Sequence, residues 1–475
     1  LEVTNFAEDA SMTPIKHLLA NQRDFFQTGK TKTYEFRIRQ LKDLRDAILD
    51  WEDPIATAIK KDLNKSPQET FQTEIASIYN EYAFIRKHLR RWMSLQHVKT
   101  PLSNFPGSSY IYPEPYGVTL ILAPWNYPFQ LLFSPLLGAI AAGNCAILKP
   151  SEYASHTSRT ISQMISKNFP PEFIAVVEGD VKISQQLLAE SFDKIFFTGS
   201  MSVGRIVMHA AAEHLTPITL ELGGKSPAII HKDAKLPLAA DRTIFAKLIN
   251  AGQTCIAPDY VYVHKHIASE FLSAAKEAIV RFYGKNPLGN PAYPKIVNQH
   301  HFDRLTNMLS GCEILFGGQT DAKRHLVAPT LIHNPSWDAP IMQEEIFGPL
   351  LPIIEYDDLS RLIQTINQQP KSLTLYLFTE NKHIKHRIIE QISAGGFSIN
   401  NTIMHWANHH LPFGGVGSSG MGKYHGKYSF DTFSHSKSIF QSATFYDAAQ
   451  VYYQPLTKWK MRILKLYLRL VGGRP

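Results

Sequence analysis

Gly117-Val118-Thr119-Leu120-Ile121-Leu122-Ala123 reads as an apolar run of strand length, and it breaks on Pro124-Trp125-Asn126-Tyr127-Pro128. A strand with one wet face alternates apolar and polar residues, whereas a run without alternation is covered on both faces. The pattern continues downstream. Leu131 to Ala142 reads as a buried helix, Ala146 to Lys149, Phe173 to Glu178 and Asp193 to Thr198 as strands, Ser202 to Glu213 as a helix, and Thr216 to Glu221 as a fifth strand. Apolar strands alternating with helices predict a parallel sheet with helices on both faces. A second α/β region is expected from about 222 to 428, with strands at Tyr260 to His264, Leu350 to Glu355, Leu373 to Phe378 and Phe397 to Asn400.

Upstream, residues 1 to 97 read as helical, with apolar groups at helical spacing over Tyr34 to Lys61 and again over Thr70 to Met93. Between 100 and 116, Pro101, Pro106, Gly107, Pro113 and Pro115 punctuate short β-prone pieces, which predicts an arm rather than core. A chain of 475 residues exceeds what one core supports. The net charge of +8 is concentrated at the C-terminus, and no nucleic-acid module or zinc spacing is present, so neither a nucleic-acid partner nor a metal is expected. Three cysteines, Cys145, Cys255 and Cys312, form a sparse odd set that argues for a reducing, cytoplasmic setting without disulfides. Leu1-Glu2-Val3-Thr4-Asn5 carries no basic-then-apolar signal pattern, and a start at Leu rather than Met leaves the native N-terminus open. No apolar run reaches the roughly 18 residues that a membrane span requires.

The chemistry-bearing residues gather where strands end. Phe197-Thr198-Gly199-Ser200-Met201-Ser202-Val203-Gly204 follows a strand and opens a helix, a place where backbone N–H groups can meet a phosphate. Its G-x-x-x-x-G spacing is not the dinucleotide fingerprint and it lacks the P-loop Lys, so an ordinary turn stays open on spacing alone. Lys149-Pro150-Ser151-Glu152 ends another strand, where ligands of open α/β sheets bind, and a surface turn is its plain alternative. Glu221, flanked by Leu220 and Leu222, is a carboxylate whose burial would raise its pKa and suit a general base; a pairing with Lys225 is the alternative. Asn126, held between Pro124 and Pro128, can serve as a preorganised amide donor to an oxyanion. Cys255, in Gly252-Gln253-Thr254-Cys255-Ile256-Ala257-Pro258, follows an expected helix, Leu238 to Asn250; a thiol at a helix end can be a nucleophile, although most lone cysteines only pack.

Taken in order, these motifs, with Glu344-Glu345-Ile346-Phe347-Gly348-Pro349 after them, resemble the NAD(P)-dependent aldehyde dehydrogenase superfamily over about residues 20 to 440. Gly252 to Tyr260 and Leu411 to Gly422, running into Tyr424-His425-Gly426-Lys427, resemble its class 3 branch. The resemblance implies an α/β fold with a Rossmann-like parallel-sheet cofactor domain over 1–97 and 117–221, a second α/β catalytic domain over 222–428, and a small β oligomerisation arm from 98–116 and 429–450; the tail at 451–475 lies outside it. It implies Cys255 as nucleophile, Glu221 as general base, and Asn126 with the Cys255 N–H as oxyanion hole. Lys149 and Glu152 match groups on the adenosine ribose, Gly199, Ser200 and Gly204 the loop near the pyrophosphate, Glu345 the nicotinamide ribose with Phe347 beside it, and Tyr127 the substrate entrance. Met201, where Thr is usual, and Asn401, where Asp is commoner, depart from the pattern; Met201 is expected to leave the loop intact.

The implied reaction takes an aldehyde to its acid: thiolate addition, oxidation to a thioester, and hydrolysis by water that Glu221 activates. NAD is the expected cofactor, with NADP an alternative, since Glu152 would repel a 2′-phosphate. No Lys or Arg adjoins Cys255, so the cationic nicotinamide ring is expected to help lower its pKa. A cysteine hydrolase would need a nearby His, a coenzyme A-acylating enzyme would not need Glu221, and a catalytically dead protein on this fold would not need Cys255, Glu221 and Asn126. The resemblance further implies a homodimer bridged by the arm. In the tail, Leu456, Trp459, Ile463, Leu466 and Leu470 face Lys458, Arg462, Lys465 and Arg469 across a helix. Such a basic amphipathic helix can lie in a membrane interface, here at the cytoplasmic face, or dock on protein. The class 3 resemblance favours medium- or long-chain aliphatic or aromatic aldehydes.

Overall fold

The structure, a computed structural model, describes residues 14–470 and 472. The helical expectation for 1–13 and the end of the tail at 471 and 473–475 lie outside the described residues.

The first sheet has six strands in the order Gly420–Met421, Ile218–Glu221, Lys194–Thr198, Val118–Leu122, Cys145–Lys149, Ile174–Val176. All pair in parallel except Gly420–Met421, which runs antiparallel to the strand that ends at Glu221. The chain lays down Val118–Leu122 first, builds outward on one side, then crosses to build the other. Strand order therefore reverses between Val118–Leu122 and Lys194–Thr198, and the crevice at their carboxyl ends is where such sheets bind ligands. The stretch after about 411, expected with the second unit, returns to this sheet: Phe413, Tyr424, Phe430 and Phe433 are buried in its core.

The second sheet has seven strands in the order Ile314–Phe316, Thr330–His333, Leu350–Tyr356, Tyr260–His264, Pro227–Ile230, Thr374–Phe378, Gly396–Ile399. Only Ile314–Phe316 pairs antiparallel within it. Three of these strands, Pro227–Ile230, Thr330–His333 and Ile314–Phe316, are additions to the sequence expectation; each is three or four residues long. The helix expected over Tyr34 to Lys61 is two, Tyr34–Asp50 and Glu52–Leu63, meeting at Trp51. The 100–116 stretch supplies Gly107–Pro115, which pairs with Gln96–Val98 on one side and Ser434–Ser442 on the other.

Helix Gln130–Ala142 is buried at every residue, so both of its ends need partners inside the protein. At its N-terminus, Glu74 Oε2 accepts from Phe129 N–H (3.1 Å) and Gln130 N–H (2.9 Å). At its C-terminus, buried Arg37 donates to Ala141 O (3.1 Å), and Gly143 turns the chain at φ +92°; a Cβ there would stand 2.6 Å from the guanidinium. Anion at the positive end and cation at the negative end is the arrangement the helix dipole favours. This helix sets the floor beneath the Asn126 loop.

Candidate active site

Cys255 sits where two cavities meet. One, about 330 Å³ and mostly apolar, is walled by Tyr127, Phe245, Ile256, Trp406 and Phe413 among others. The other, about 780 Å³, lies at the carboxyl ends of the first sheet, between Gly199–Ser202, Glu221–Lys225 and Glu344–Phe347. Cys255 lines both.

The loop that carries it is fixed by its backbone. Helix Leu236–Leu248 ends two residues earlier than expected, and Asn250 (φ +52°) and Ala251 (φ +50°) turn left-handed. Gly252 follows at φ +76°, and a Cβ there would lie 2.2 Å from Gly348 O, so only glycine fits. Gln253 braces the loop, donating to Asn250 O and Lys295 O and accepting from Val297 N–H. Thr254 Oγ1 lies 2.6 Å from Tyr127 Oη. Cys255 is half-buried rather than exposed. Burial first, then the Glu345 and Glu221 carboxylates, push its thiol up to about 12, while backbone N–H groups of Cys255 and Ile256 pull the other way. A thiol held in this range carries little thiolate at neutral pH.

Glu221 is buried, and neither carboxylate oxygen has a hydrogen-bond partner. Burial raises its pKa well above the ordinary value. Lys225 does not pair with it; its ammonium goes to Asp259 (2.5 Å), Ile341 O and Glu344 O. Asp259 in turn accepts from Ile346 N–H (2.8 Å), and Arg304 donates to Glu345 O and Ile346 O. Lys225, Asp259 and Arg304 thus fix the backbone that presents Glu345. The Glu345 carboxylate packs over Gly223, where a Cβ would stand 2.2 Å from it, and burial and Asp259 raise its pKa to about 8.

Asn126 is buried and lines the larger cavity. Its Nδ2 donates to Gln253 O (3.0 Å), which uses one of its two N–H groups. Its backbone O accepts from Lys65 Nζ (2.9 Å) and Asn250 Nδ2 (2.8 Å). Lys65 pairs with Glu74 at 2.6 Å, both fully buried, and its ammonium stands 3.9 Å from the centre of the Tyr127 ring. Tyr127 lines the apolar cavity.

The remaining sequence candidates divide. Gly199, Ser200, Glu345 and Phe347 line the larger cavity. Ser200 caps helix Met201–Glu213, its Oγ accepting from Val203 N–H, so the helix N-terminus opens on that cavity. Gly204 does not line it: a Cβ there would meet Leu222 at 2.7 Å, so this glycine serves close packing of helix on strand. Lys149 and Glu152 lie beside it, paired at 3.4 Å; of that turn it is Tyr153 that lines the cavity. Trp125 stacks edge-on against Phe347 (5.4 Å), and His301 lies 5.1 Å from the same indole. Lys65, Glu74, Asp259, Arg304 and His301 carry no local signature in sequence, because each acts on a partner tens of residues away.

An elongated cleft at a strand-order reversal, with a helix N-terminus on one wall, side-chain-free backbone at Gly223 and a carboxylate facing it, fits a dinucleotide.

Residues 2–439 match the sequence pattern described as the aldehyde dehydrogenase family. The 4,4'-diaponeurosporen-aldehyde dehydrogenase of Staphylococcus aureus (strain NCTC 8325 / PS 47) is 46% identical over 461 residues, covering 96% of this chain and 100% of that protein. Aldehyde dehydrogenase family 3 member H1 of Arabidopsis thaliana is 43% identical over 454 residues, covering 94% of each. The solved substrate-bound state of a Staphylococcus aureus AldH superposes with a TM-score of 0.94 at 46% identity, over 96% of this chain and 100% of that one. The likeness runs through both sheets and the thiol between their cavities, and this chain belongs to the aldehyde dehydrogenase family, whose members oxidise aldehydes with NAD(P)+.

Proposed function

We propose that this enzyme oxidises medium- or long-chain aliphatic or aromatic aldehydes to acids, with NAD preferred over NADP. The observation that carries the reading is the position of Cys255 on the shared wall of an apolar cavity and the dinucleotide cleft. The aldehyde enters the apolar cavity past Tyr127. Cys255 adds to the carbonyl carbon, and the oxygen, now anionic, takes hydrogen bonds from the Asn126 amide and the Cys255 N–H. Bound nicotinamide supplies the two-electron oxidant. Glu221, buried and unpartnered, in its ionised form takes a proton from water; the water oxygen attacks the thioester, the carbon–sulfur bond breaks, and the Cys255 thiolate departs from the carboxylic acid. Glu152, whose carboxylate would repel a 2′-phosphate, supports the preference for NAD.

A homodimer follows from the same reading. Ser434–Ser442 is an edge strand whose residues beyond the first are exposed, Ile439 and Phe440 among them, and an edge of this kind is a template for pairing. The tail helix Lys458–Leu470 has no buried residue, and Trp459, Ile463, Leu466 and Leu470 are all exposed. That stripe, with Lys458, Arg462, Lys465 and Arg469 beside it, supports peripheral contact with the cytoplasmic face of an anionic membrane. Among the described residues no helix is long and apolar enough to cross one.

The test is kcat/KM for short, aromatic and long-chain aldehydes, 4,4'-diaponeurosporen-aldehyde included, each with NAD and NADP. The reading expects kcat/KM to rise with apolar length and NAD to be used better; a preference for short polar aldehydes, or for NADP, contradicts it.

A further inference from the structure

Three side chains from distant parts of the chain meet on the wall of the apolar cavity: Glu81 from helix Ala76–Met93, His409 from the loop after the second sheet, and His425 from the segment that returns to the first sheet. One ligand atom from each can be chosen so that all three lie within 4.8 Å of one another. His409 Nδ1 lies 2.6 Å from Glu81 Oε2. Glu81 Oε1 accepts from Gly426 N–H (2.7 Å) and Ser429 Oγ (3.2 Å), which fixes the carboxylate with its second oxygen toward the two rings. That is how outer hydrogen bonds orient a metal-binding carboxylate.

His425 is the telling member. It is 3% exposed, and neither ring nitrogen has a hydrogen-bond partner. A buried imidazole left wholly unpartnered is costly and calls for an explanation. Its backbone is held at φ +78°, a conformation uncommon for residues other than glycine. The rings of Trp406, Phe413 and Tyr424 pack around the imidazole, their centroids 4.3–5.5 Å from its own. His409, with its side chain 20% exposed, leaves a route from solvent.

We propose that Glu81, His409 and His425 form a binding site for a divalent transition-metal cation on the wall of the aldehyde cavity. Two imidazoles and a carboxylate select a borderline ion such as Zn²⁺ or Co²⁺ over Mg²⁺ or Ca²⁺, which favour all-oxygen sites. Three protein ligands leave a fourth position open, as in sites that exchange ligands. The ion would sit on the wall of the cavity that Cys255 also lines, so its binding and aldehyde binding would compete. The sequence carries no metal-ligand spacing here because the ligands stand 328 and 16 residues apart (409 − 81 and 425 − 409).

The test uses Co²⁺ on full-length protein carrying Cys255→Ser, which removes the nearby thiolate as a rival ligand. After chelator treatment, calorimetric titration should give one site per chain, with visible ligand-field absorption of a four- or five-coordinate ion. His425→Ala and, separately, Glu81→Gln in that background should weaken binding by at least about 10–100-fold, while NAD binding, read by fluorescence, reports that each variant is folded. Should one variant not fold, His409→Asn serves in its place. Absence of stoichiometric Co²⁺ binding, or binding that the folded variants leave unchanged, overturns the proposal.

Discussion

Lys65 Nζ lies 2.6 Å from Glu74 Oε1 in a pair with no solvent exposure, and the same ammonium donates to the backbone O of Asn126 at 2.9 Å. The pair does two things. Through Glu74 it caps the buried helix Gln130–Ala142, and through Lys65 it holds the loop that presents Asn126 and Tyr127.

Removing Lys65 leaves a buried carboxylate without its cation, which typically costs about 3–5 kcal/mol. Lys65→Met should therefore lower stability by that order in urea unfolding. Where it stays folded, kcat should fall more than KM changes, because the displaced group is the proposed oxyanion donor. Unchanged stability would show that the pair is not what anchors the loop.

Glu221 gives a pH-dependent prediction with a definite sign. Its folded pKa is raised by burial above the usual carboxyl value of 4.5. The neutral acid is the form the fold tolerates, so its contribution to stability is complete below about pH 4.5 and is lost as pH rises through the folded pKa. Glu221→Gln cannot ionise. It should unfold at a higher temperature than wild type at pH 8, with the difference shrinking toward pH 4. Turnover should fall about 10²–10⁴-fold, as loss of the proposed general base implies. A constant Tm difference across that pH range would contradict the assignment of an ionising, unpartnered Glu221.

Cys255 should respond to cofactor. With its thiol at about 12, alkylation by iodoacetamide near pH 8 should be slow in the free enzyme and rise about tenfold per pH unit. Adding NAD⁺ brings a cationic ring toward the sulfur and should lower the pKa, with about a tenfold gain in thiolate for each unit that it falls while it stays above the ambient pH. The pH profile of alkylation with and without NAD⁺ checks this; superimposable profiles would assign activation elsewhere.

Deleting residues 455–475 should abolish co-sedimentation with anionic vesicles and leave kcat for a short soluble aldehyde within about twofold, since the helix Lys458–Leu470 buries no residue against the body. Equal vesicle binding by the full and truncated chains would rule out the tail as the contact.

Much of this architecture is legible in the sequence where one local property dominates. The run over Val118–Leu122 and the apolar stretches at Cys145–Lys149 and Lys194–Thr198 are buried at every position, so burial alone marks them. Asn126 sits at a break just after such a run, Glu221 ends the strand Ile218–Glu221, and Cys255 follows the helix Leu236–Leu248. Short strands such as Pro227–Ile230 are not legible, because four residues carry no periodicity. Nor are Arg37, Lys65, Glu74 and Arg304: a charged side chain reads as solvated surface until its partner, tens of residues or more away, is in place. Gly204 is ambiguous in sequence for a related reason. A glycine early in a helix has the same signature whether it faces a phosphate or, as here, Leu222.

Mass spectrometry of the Glu221→Gln enzyme, quenched after mixing with aldehyde and NAD⁺, tests most directly whether Cys255 is the covalent centre between the two cavities. The structure predicts about one equivalent of NADH per active site and a matching acyl adduct on the peptide that carries Cys255, with Cys145 and Cys312 unmodified. NADH formed with no adduct, or an adduct on either of the other cysteines, would contradict it.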